Sequence, residues 1–261
     1  MKKILIFVAS GFSTRMGGFP KALAKVGNGR VILNAINNAC KYYDDIYIIC
    51  NSMTKDQFKE IIEANGNKAK IRDIITGKGD AESVWKSLVL VQKEIGGAFD
   101  ATFCWGDAYF ATDKAFSAIN SYNIDNVNSV VVGCSEDMDP YAYFDVYTKN
   151  GSMNQLYVRR SYFKKRDGSV DKGVHDQCIF RCISSVFIGC LNKYRQELGF
   201  DGENYLLSPS NEMGLLNSFA YFNSIDRPAS VCMFPSGNVF SFNTVEELEA
   251  INENMLANRG R

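Results

Sequence analysis

Residues 4–23 read ILIFVASGFSTRMGGFPKAL, and the fold follows from how this stretch begins and breaks. Six consecutive apolar residues, 4–9, make a strand buried on both faces, and they stop at Ser10-Gly11. A glycine-rich loop follows. Gly11, Gly17 and Gly18 let backbone N–H groups come close to a ligand, and Arg15 and Lys21 add two cations, so the loop suits an anion. A strand feeding such a loop holds phosphates at the carboxyl edge of a parallel sheet. The spacing is not the dinucleotide fingerprint, which needs a glycine where Ser13 stands, and no G-x-x-x-x-G-K-[ST] occurs.

What remains is G-x-S-x-R-M-G over 11–17, then P-K-x-L over 20–23. This pattern resembles the signature loop of the nucleotidyltransferases that activate sugar phosphates and similar compounds. The Ser13 form is most similar to the molybdenum-cofactor guanylyltransferase-like branch. The resemblance implies a Rossmann-like α/β fold in which Val8, Ala9, Ser10, Gly11, Phe12, Ser13 and Thr14 contact the nucleotide. Arg15 and Lys21 would be the catalytic cations bridging the triphosphate and the incoming phosphate.

Composition limits the alternatives. Lysines and arginines number 29, as do aspartates and glutamates, so the formal net charge is zero and no broad nucleic-acid or membrane surface is expected. Eight cysteines form no C-x-x-C pair and only one histidine is present, which reads as reduced, mostly buried thiols. The Met-Lys-Lys start leads into an apolar run without a small-residue cleavage site, and no stretch is apolar enough to span a bilayer. A cytoplasmic protein is expected.

Along the chain, residues 31–43 place Ile32, Ala35, Ile36, Ala39 and Tyr43 on one helical face, and the apolar run 46–50 completes a β-α-β unit. Ser52 or Thr54 can cap a helix that buries Phe58, Ile61 and Ile62 and stops at Gly66; a short strand over 71–75 follows. Thr76-Gly77-Lys78-Gly79-Asp80 opens a helix carrying Val84, Leu88, Val91 and Ile95, and strand 101–105 ends on Gly106-Asp107. Alternating β and α elements predict a mostly parallel sheet flanked by helices. After strand 129–134 the character changes near Met138: aromatic, alternating runs over 141–147 and 154–162 around Asn150-Gly151 predict a hairpin. Beyond it the pattern predicts a returning strand over 177–188, a helix over 211–219 and an edge strand over 229–234. A last helix enters through a capping box, Thr244 with Glu247. The whole, 1–261, reads as one domain with a nucleotide half, 1–138, and an acceptor half, 139–261.

By the resemblance, Asp107 is the principal Mg²⁺ ligand; by pattern alone it is a strand-end turn. Gly77, Gly79, Asp80 and Ser83 match the family's base and ribose contacts, while Asp80 and Ser83 also read as ordinary helix-start residues. The second metal-binding aspartate of the sugar-phosphate branch is replaced here by Ser241, and Asn243 is either the asparagine version of that ligand or a helix-entry residue. Tyr143, Arg159 and Arg160, with Lys164, Lys165 and Arg166, are acceptor-binding candidates or a solvated basic face. His175 reads as structural or surface.

The expected activity is Mg²⁺-dependent transfer of a nucleotidyl group, from CTP by preference, to a phosphorylated sugar, polyol, choline or amino acid such as phosphoglutamine. Pyrophosphate leaves, and capsule or other surface polysaccharide synthesis is the expected setting. Two rivals stay open. One is a glycosyltransferase using Asp137 and Asp139 as a D-x-D metal pair; the other is a non-catalytic nucleotide-sensing module on the same fold.

Overall fold

A computed structural model describes residues 1–138, 140–149, 155–163 and 172–257. The first half alternates as its periodicity requires: β1 (Lys3–Ala9), a two-residue ribbon of β2 (Lys25–Val26) and β3 (Gly29–Arg30), α1 (Val31–Ala39), β4 (Asp45–Cys50), α2 (Lys55–Ala64), β5 (Lys70–Asp73), α3 (Asp80–Ile95), β6 (Asp100–Trp105), β7 (Ala108–Phe110) and α4 (Lys114–Ser121). Then come β8 (Val131–Met138), β9 (Ala142–Thr148), β10 (Leu156–Phe163), β11 (Lys172–Ile183), α5 (Ser184–Glu197), α6 (Leu215–Ser224), β12 (Ala229–Met233), β13 (Val239–Ser241) and α7 (Val245–Ala257).

Nine of these strands form one sheet in the order β5-β4-β1-β6-β11-β8-β12-β10-β9. Among the described residues all run the same way except β11 and β10, each antiparallel to both neighbours. The expected fold class, a mostly parallel sheet flanked by helices, is the one found. The hairpin extends the same sheet, with a bulge between Val158 and Arg160; its expected turn at Asn150-Gly151 lies outside the described residues.

Helices α3, α5 and α6 bury one face of the sheet and α1, α2 and α4 the other, so β1 alternates Ile4, Ile6 and Val8 into the first layer and Leu5 and Phe7 into the second. Phe103 of β6 stacks on Phe180 of β11 at 4.9 Å and on Phe187 of α5 at 5.7 Å. A third cluster, Met16, Val26 and Phe242 among others, sits where α7 closes over the ribbon.

Several expectations are corrected. The run 177–188 is not one strand: β11 ends at Ile183 and α5 begins at Ser184, whose hydroxyl accepts from Phe99 N–H and donates to Gln92. Phe187, Cys190, Leu191 and Tyr194 then recur at helical spacing and are buried. The helix expected over 211–219 starts later, at Leu215, because Asn211 adopts φ 53° and its side chain accepts from Tyr205 N–H to close a loop. Strand β12 lies inside the sheet between β8 and β10; its mostly buried residues fit an interior strand, and the edges are β5 and β9. Thr54 stands at the N-cap of α2 without a capping bond, its hydroxyl donating to Asn51 instead. All eight cysteines are free, with only Cys40 exposed and Cys178 partly so. Among the described residues no helix is long and apolar enough to cross a membrane.

Candidate active site

Strand β1 lies between β4 and β6, and the loop after it opens at the carboxyl edge of all three. Neighbouring strands pin its carbonyls: Ser10 O accepts from Asn51 Nδ2 at 3.2 Å and from Thr76 Oγ1 at 2.7 Å, and Gly11 O also accepts from Asn51. With the carbonyls held, the amides of the next residues are left to the cleft. Ser13 then takes φ 49°, the left-handed region that favours glycine, followed by Gly17 at 63° and Gly18 at 84°. This winds a single turn over Thr14–Met16, closed by Met16 N–H and Gly18 N–H donating to Ser13 O at 2.9 and 3.1 Å. Pro20 leads into a second short turn, Lys21–Leu23, anchored by the buried Ala22 and Leu23, and Lys21 N–H donates to Ser13 Oγ at 3.4 Å.

The tip of β6 supplies the opposing charge. Gly106 N–H donates to Val8 O at 2.9 Å, and a Cβ on Gly106 would stand 2.6 Å from the Cβ of Ala9, so only glycine lets the two strand ends meet. Asp107 follows. The third contributor arrives from the far end of the chain: β13 pairs with β7, and Asn243 precedes α7, where Glu247 accepts from Asn243 N–H and Thr244 Oγ1 from Glu247 N–H. Lys21 Nζ donates to Asp107 Oδ2 and to Asn243 Oδ1, at 2.9 Å each, with the lysine side chain only 16% exposed.

On the other side of the loop, Gly77 N–H donates to Ser83 Oγ at 3.2 Å and Lys78 N–H to Glu82 at 2.7 Å, folding residues 77–83 over the start of α3. Gly79 has φ 94° and presses on Met213 O, where a Cβ would come within 2.4 Å. Asp80 Oδ1 accepts from Ala81 N–H and from Leu215 N–H, joining the starts of α3 and α6. The atoms crowded around this carboxyl raise it above the usual carboxylate range, although the residue opens to the cleft; the two N–H donors oppose the rise.

These segments enclose a cleft of about 570 Å³. Of the residues expected from the sequence, Val8, Ala9, Ser10, Gly11, Ser13, Thr14, Arg15, Lys21, Gly77, Gly79, Asp80, Ser83, Asp107 and Asn243 line it. Phe12 does not and is 55% exposed. Tyr143, Arg159 and Arg160 do not line it either: Tyr143 stacks on Tyr162, the Arg160 guanidinium lies over Tyr162, and Arg159 pairs with Asp145 and covers Tyr147. Lys164, Lys165 and Arg166 lie outside the described residues.

Thr76 and Trp105 also line the cleft, and Asn51 fastens the loop from below; none was expected. Asn51 and Trp105 could have been found as the residues closing or following strands that end at the same sheet edge. Asp137 does not line the cleft; its side chain is partly exposed, with Oδ2 accepting from Ser135, His175 and Gln177, and Asp139 lies outside the described residues. Asp176, on β11, is raised above the usual carboxylate range by burial and, to a lesser degree, by the charge of Asp107, with His175 opposing.

The chain matches the family model of the MobA-like NTP transferase domain over residues 5–152. It belongs to that family. The match takes in the glycine-rich loop, residues 77–83 and Asp107, the parts of the cleft contributed by the parallel strands. A 2-C-methyl-D-erythritol 4-phosphate cytidylyltransferase from Chlorobaculum parvum (strain DSM 263 / NCIMB 8327) is 31% identical to this MobA-like chain over 134 residues, 49% of the chain and 52% of that relative. The match thus spans about half of the relative's length.

Three solved structures share the fold of this MobA-like protein. They are the inositol-1-phosphate CTP transferase from T. maritima (12% identity, TM-score 0.66, covering 97% of each chain), a nucleoside-diphosphate-sugar pyrophosphorylase from Vibrio cholerae RC9 (11%, 0.68, 96% of this chain and 99% of that one), and the CTP:phosphocholine cytidylyltransferase from Streptococcus pneumoniae (15%, 0.61, 97% and 98%).

Proposed function

We propose that the protein transfers a cytidylyl group from CTP to a phosphorylated small molecule and releases pyrophosphate. The observation that carries this reading is the meeting of Lys21 Nζ, Asp107 Oδ2 and Asn243 Oδ1 at 2.9 Å contacts beside the glycine-rich loop. Every species in such a reaction is an anion, and a centre that gathers a lysine, an exposed-amide loop and Arg15 in one cleft is built for anions. The preference for CTP is supported by the names of one sequence relative and two fold neighbours, each a cytidylyl- or CTP-transferring enzyme.

In this mechanism the amides of 11–13 and Arg15 hold the triphosphate. Thr76, Gly77 and Ser83 flank the nucleoside. Lys21 draws the acceptor phosphate toward the α-phosphorus and offsets charge as an acceptor oxygen bonds to it and the bond to pyrophosphate breaks; the protein forms no covalent bond. Mg²⁺ fits the oxygens present: a carboxylate and an amide carbonyl already converge on one cationic atom, and Mg²⁺ takes one or two such ligands beside phosphates and water. Asp107 and Asn243 would hold it, and when bound it neutralises the phosphates as a Lewis acid. A role in surface polysaccharide synthesis belongs to the same proposal.

The test is pyrophosphate release with Mg²⁺ and each of CTP, UTP, GTP and ATP, against sugar, polyol, choline and amino-acid phosphates. Turnover with CTP and one acceptor is expected. Tight CTP binding without turnover on any acceptor moves the reading to a nucleotide sensor.

A further inference from the structure

One polar cluster stands outside this centre yet beside it. Strand β11 runs antiparallel to β6 with Ile179 opposite Cys104, the end of their ladder, so its residues before Ile179 lead toward the end of β6 that carries Gly106 and Asp107, and the charge of Asp107 is felt at Asp176. There the β11–β8 ladder breaks between Asp176 and Phe180, and Cys178 takes φ 58°. His175 and Gln177, two apart on the strand, share a face ahead of this break. Gln177 Nε2 lies 3.1 Å from His175 Nε2, and both approach Asp137 of β8, whose Oδ2 also accepts from Ser135 Oγ at 3.0 Å. Strand β11 also packs against β13, whose last residue, Ser241, stands two before Asn243, so the strand that bears the cluster reaches the Asn243 side of the cleft.

Three donors on one oxygen fix the Asp137 carboxylate, and its Oδ1 has no protein donor among the described residues. The Asp137 and His175 side chains are 34% and 23% exposed, within reach of a ligand. Asp137 Oδ1 accepts and the second ring nitrogen of His175 offers a further polar contact, whereas Ser135 and Gln177 are buried and serve to hold the carboxylate. A hydroxyl, which donates and accepts at one atom, matches such a surface. A quaternary ammonium does not, since it offers no N–H and needs open aromatic faces. Three of the neighbouring tyrosines are engaged, with Tyr141 left exposed: Tyr143 stacks on Tyr162 at 5.1 Å, and the Arg160 and Arg159 guanidinium groups lie 4.6 and 5.3 Å over Tyr162 and Tyr147. Those arginines also repel a cationic ligand.

We infer that Asp137 and His175, held in place by the buried Ser135 and Gln177, form the acceptor-selecting surface of this enzyme and that it takes the neutral, hydroxyl-bearing body of a sugar or polyol phosphate. The inference rests on the transferase reading above. Asp137 and His175 bind the acceptor's hydroxyls, while Ser135 and Gln177 position the carboxylate.

The experiment measures steady-state pyrophosphate release by the full chain with CTP and four acceptors: a hexose 1-phosphate, a pentitol phosphate, phosphocholine and phosphoethanolamine. Wild type, Asp137→Asn and His175→Gln are compared, with CTP binding by calorimetry and thermal melting alongside. A hydroxylated phosphate is the expected acceptor. Asp137→Asn, which removes a charged partner, should raise its KM roughly 10- to 100-fold and His175→Gln roughly 3- to 10-fold, while the KM for CTP and the melting temperature stay put. Asp137→Glu, which keeps the charge, should recover part of the loss.

An unchanged acceptor KM in both folded variants, or preference for phosphocholine or phosphoethanolamine, overturns the inference alone. Silence with every acceptor while CTP still binds moves the protein to the nucleotide-sensor reading and overturns both. Absence of both turnover and nucleotide binding in the wild type overturns the transferase reading and takes this one with it. A purely structural role would instead lower stability and kcat without singling out the acceptor KM.

Discussion

Lys21 is where one side chain carries most of the proposed chemistry. It touches Asp107 and Asn243, residues 86 and 222 positions away. A unit charge about 4 Å from a phosphate is worth about 4 kcal/mol at an effective dielectric of 20, and each 1.36 kcal/mol lost from transition-state binding is about tenfold in rate. Lys21→Ala should therefore lower kcat by about three orders of magnitude while leaving the thermal melt near wild type; a loss under tenfold in pyrophosphate release would remove Lys21 from the catalytic role. Ser13 permits a second, backbone test. At φ 49° its Cβ is disfavoured, and only a 3.4 Å contact from Lys21 N–H rewards the hydroxyl. Ser13→Gly should keep activity and shift stability by less than about 1 kcal/mol, whereas Ser13→Val, β-branched at positive φ, should cost about 1–3 kcal/mol by urea denaturation. Equal stabilities would mean that the turn carries no strain. Lys21, Arg15 and Asp107 were legible because their chemistry is written in a contiguous motif or at a strand end. Thr76 was not, because its hydroxyl reaches Ser10 O only where two loops meet in the folded chain.

Strands and helices followed their periodicity where the pattern was local and unbroken. Helix α3 keeps the expected apolar stripe, with Val84, Leu88 and Val91 buried, and ends at Gly96 with φ 76°. The pattern misled where an apolar run served two elements: through 177–188 the alternation of β11 passes into the helical spacing of α5 without a glycine or proline between them. Strand β11 also carries a contact that no pattern announces. Arg181 donates to both oxygens of Asp100, at 2.9 and 2.7 Å, and to the carbonyls of Ile119, Asn120 and Tyr122 at the end of α4. It thus ties α4 to the sheet while satisfying carbonyls that a helix end leaves free. With the two side chains 5% and 9% exposed, Arg181→Met would strand a buried carboxylate together with those carbonyls. The expected loss is about 3–5 kcal/mol in chemical denaturation, with the specific activity of the remaining folded enzyme close to wild type; a loss below about 1 kcal/mol would mean that water replaces the guanidinium.

The two halves expected on either side of Met138 share one sheet, and its strand order tells how they depend on each other. Strand β6, which carries Asp107, has β1 from the first half on one side and β11 from the second on the other. Strand β8 belongs to the first half by sequence, yet both of its neighbours, β11 and β12, come from the second. In residues 1–138 alone, β8 would have no partner, β6 would present an unpaired edge, and Phe103 would lose both Phe180 and Phe187. Exposing a core aromatic costs about 1.5–3 kcal/mol, and several of the buried side chains of β6 and β8 would be uncovered together, against a net stability of only about 5–15 kcal/mol for a typical domain. The fragment 1–138 is therefore expected to lack a cooperative thermal transition by circular dichroism, while the full chain melts in one step that CTP moves upward as a whole. A sharp two-state melt of the fragment, with a denaturant slope suited to its length, would mean that the nucleotide half folds by itself and that the second half is an addition to it. The expected outcome instead makes the position of Asp107 depend on the acceptor half, since the ladder that fixes the outer side of β6 is the same β11 that bears His175 and Gln177.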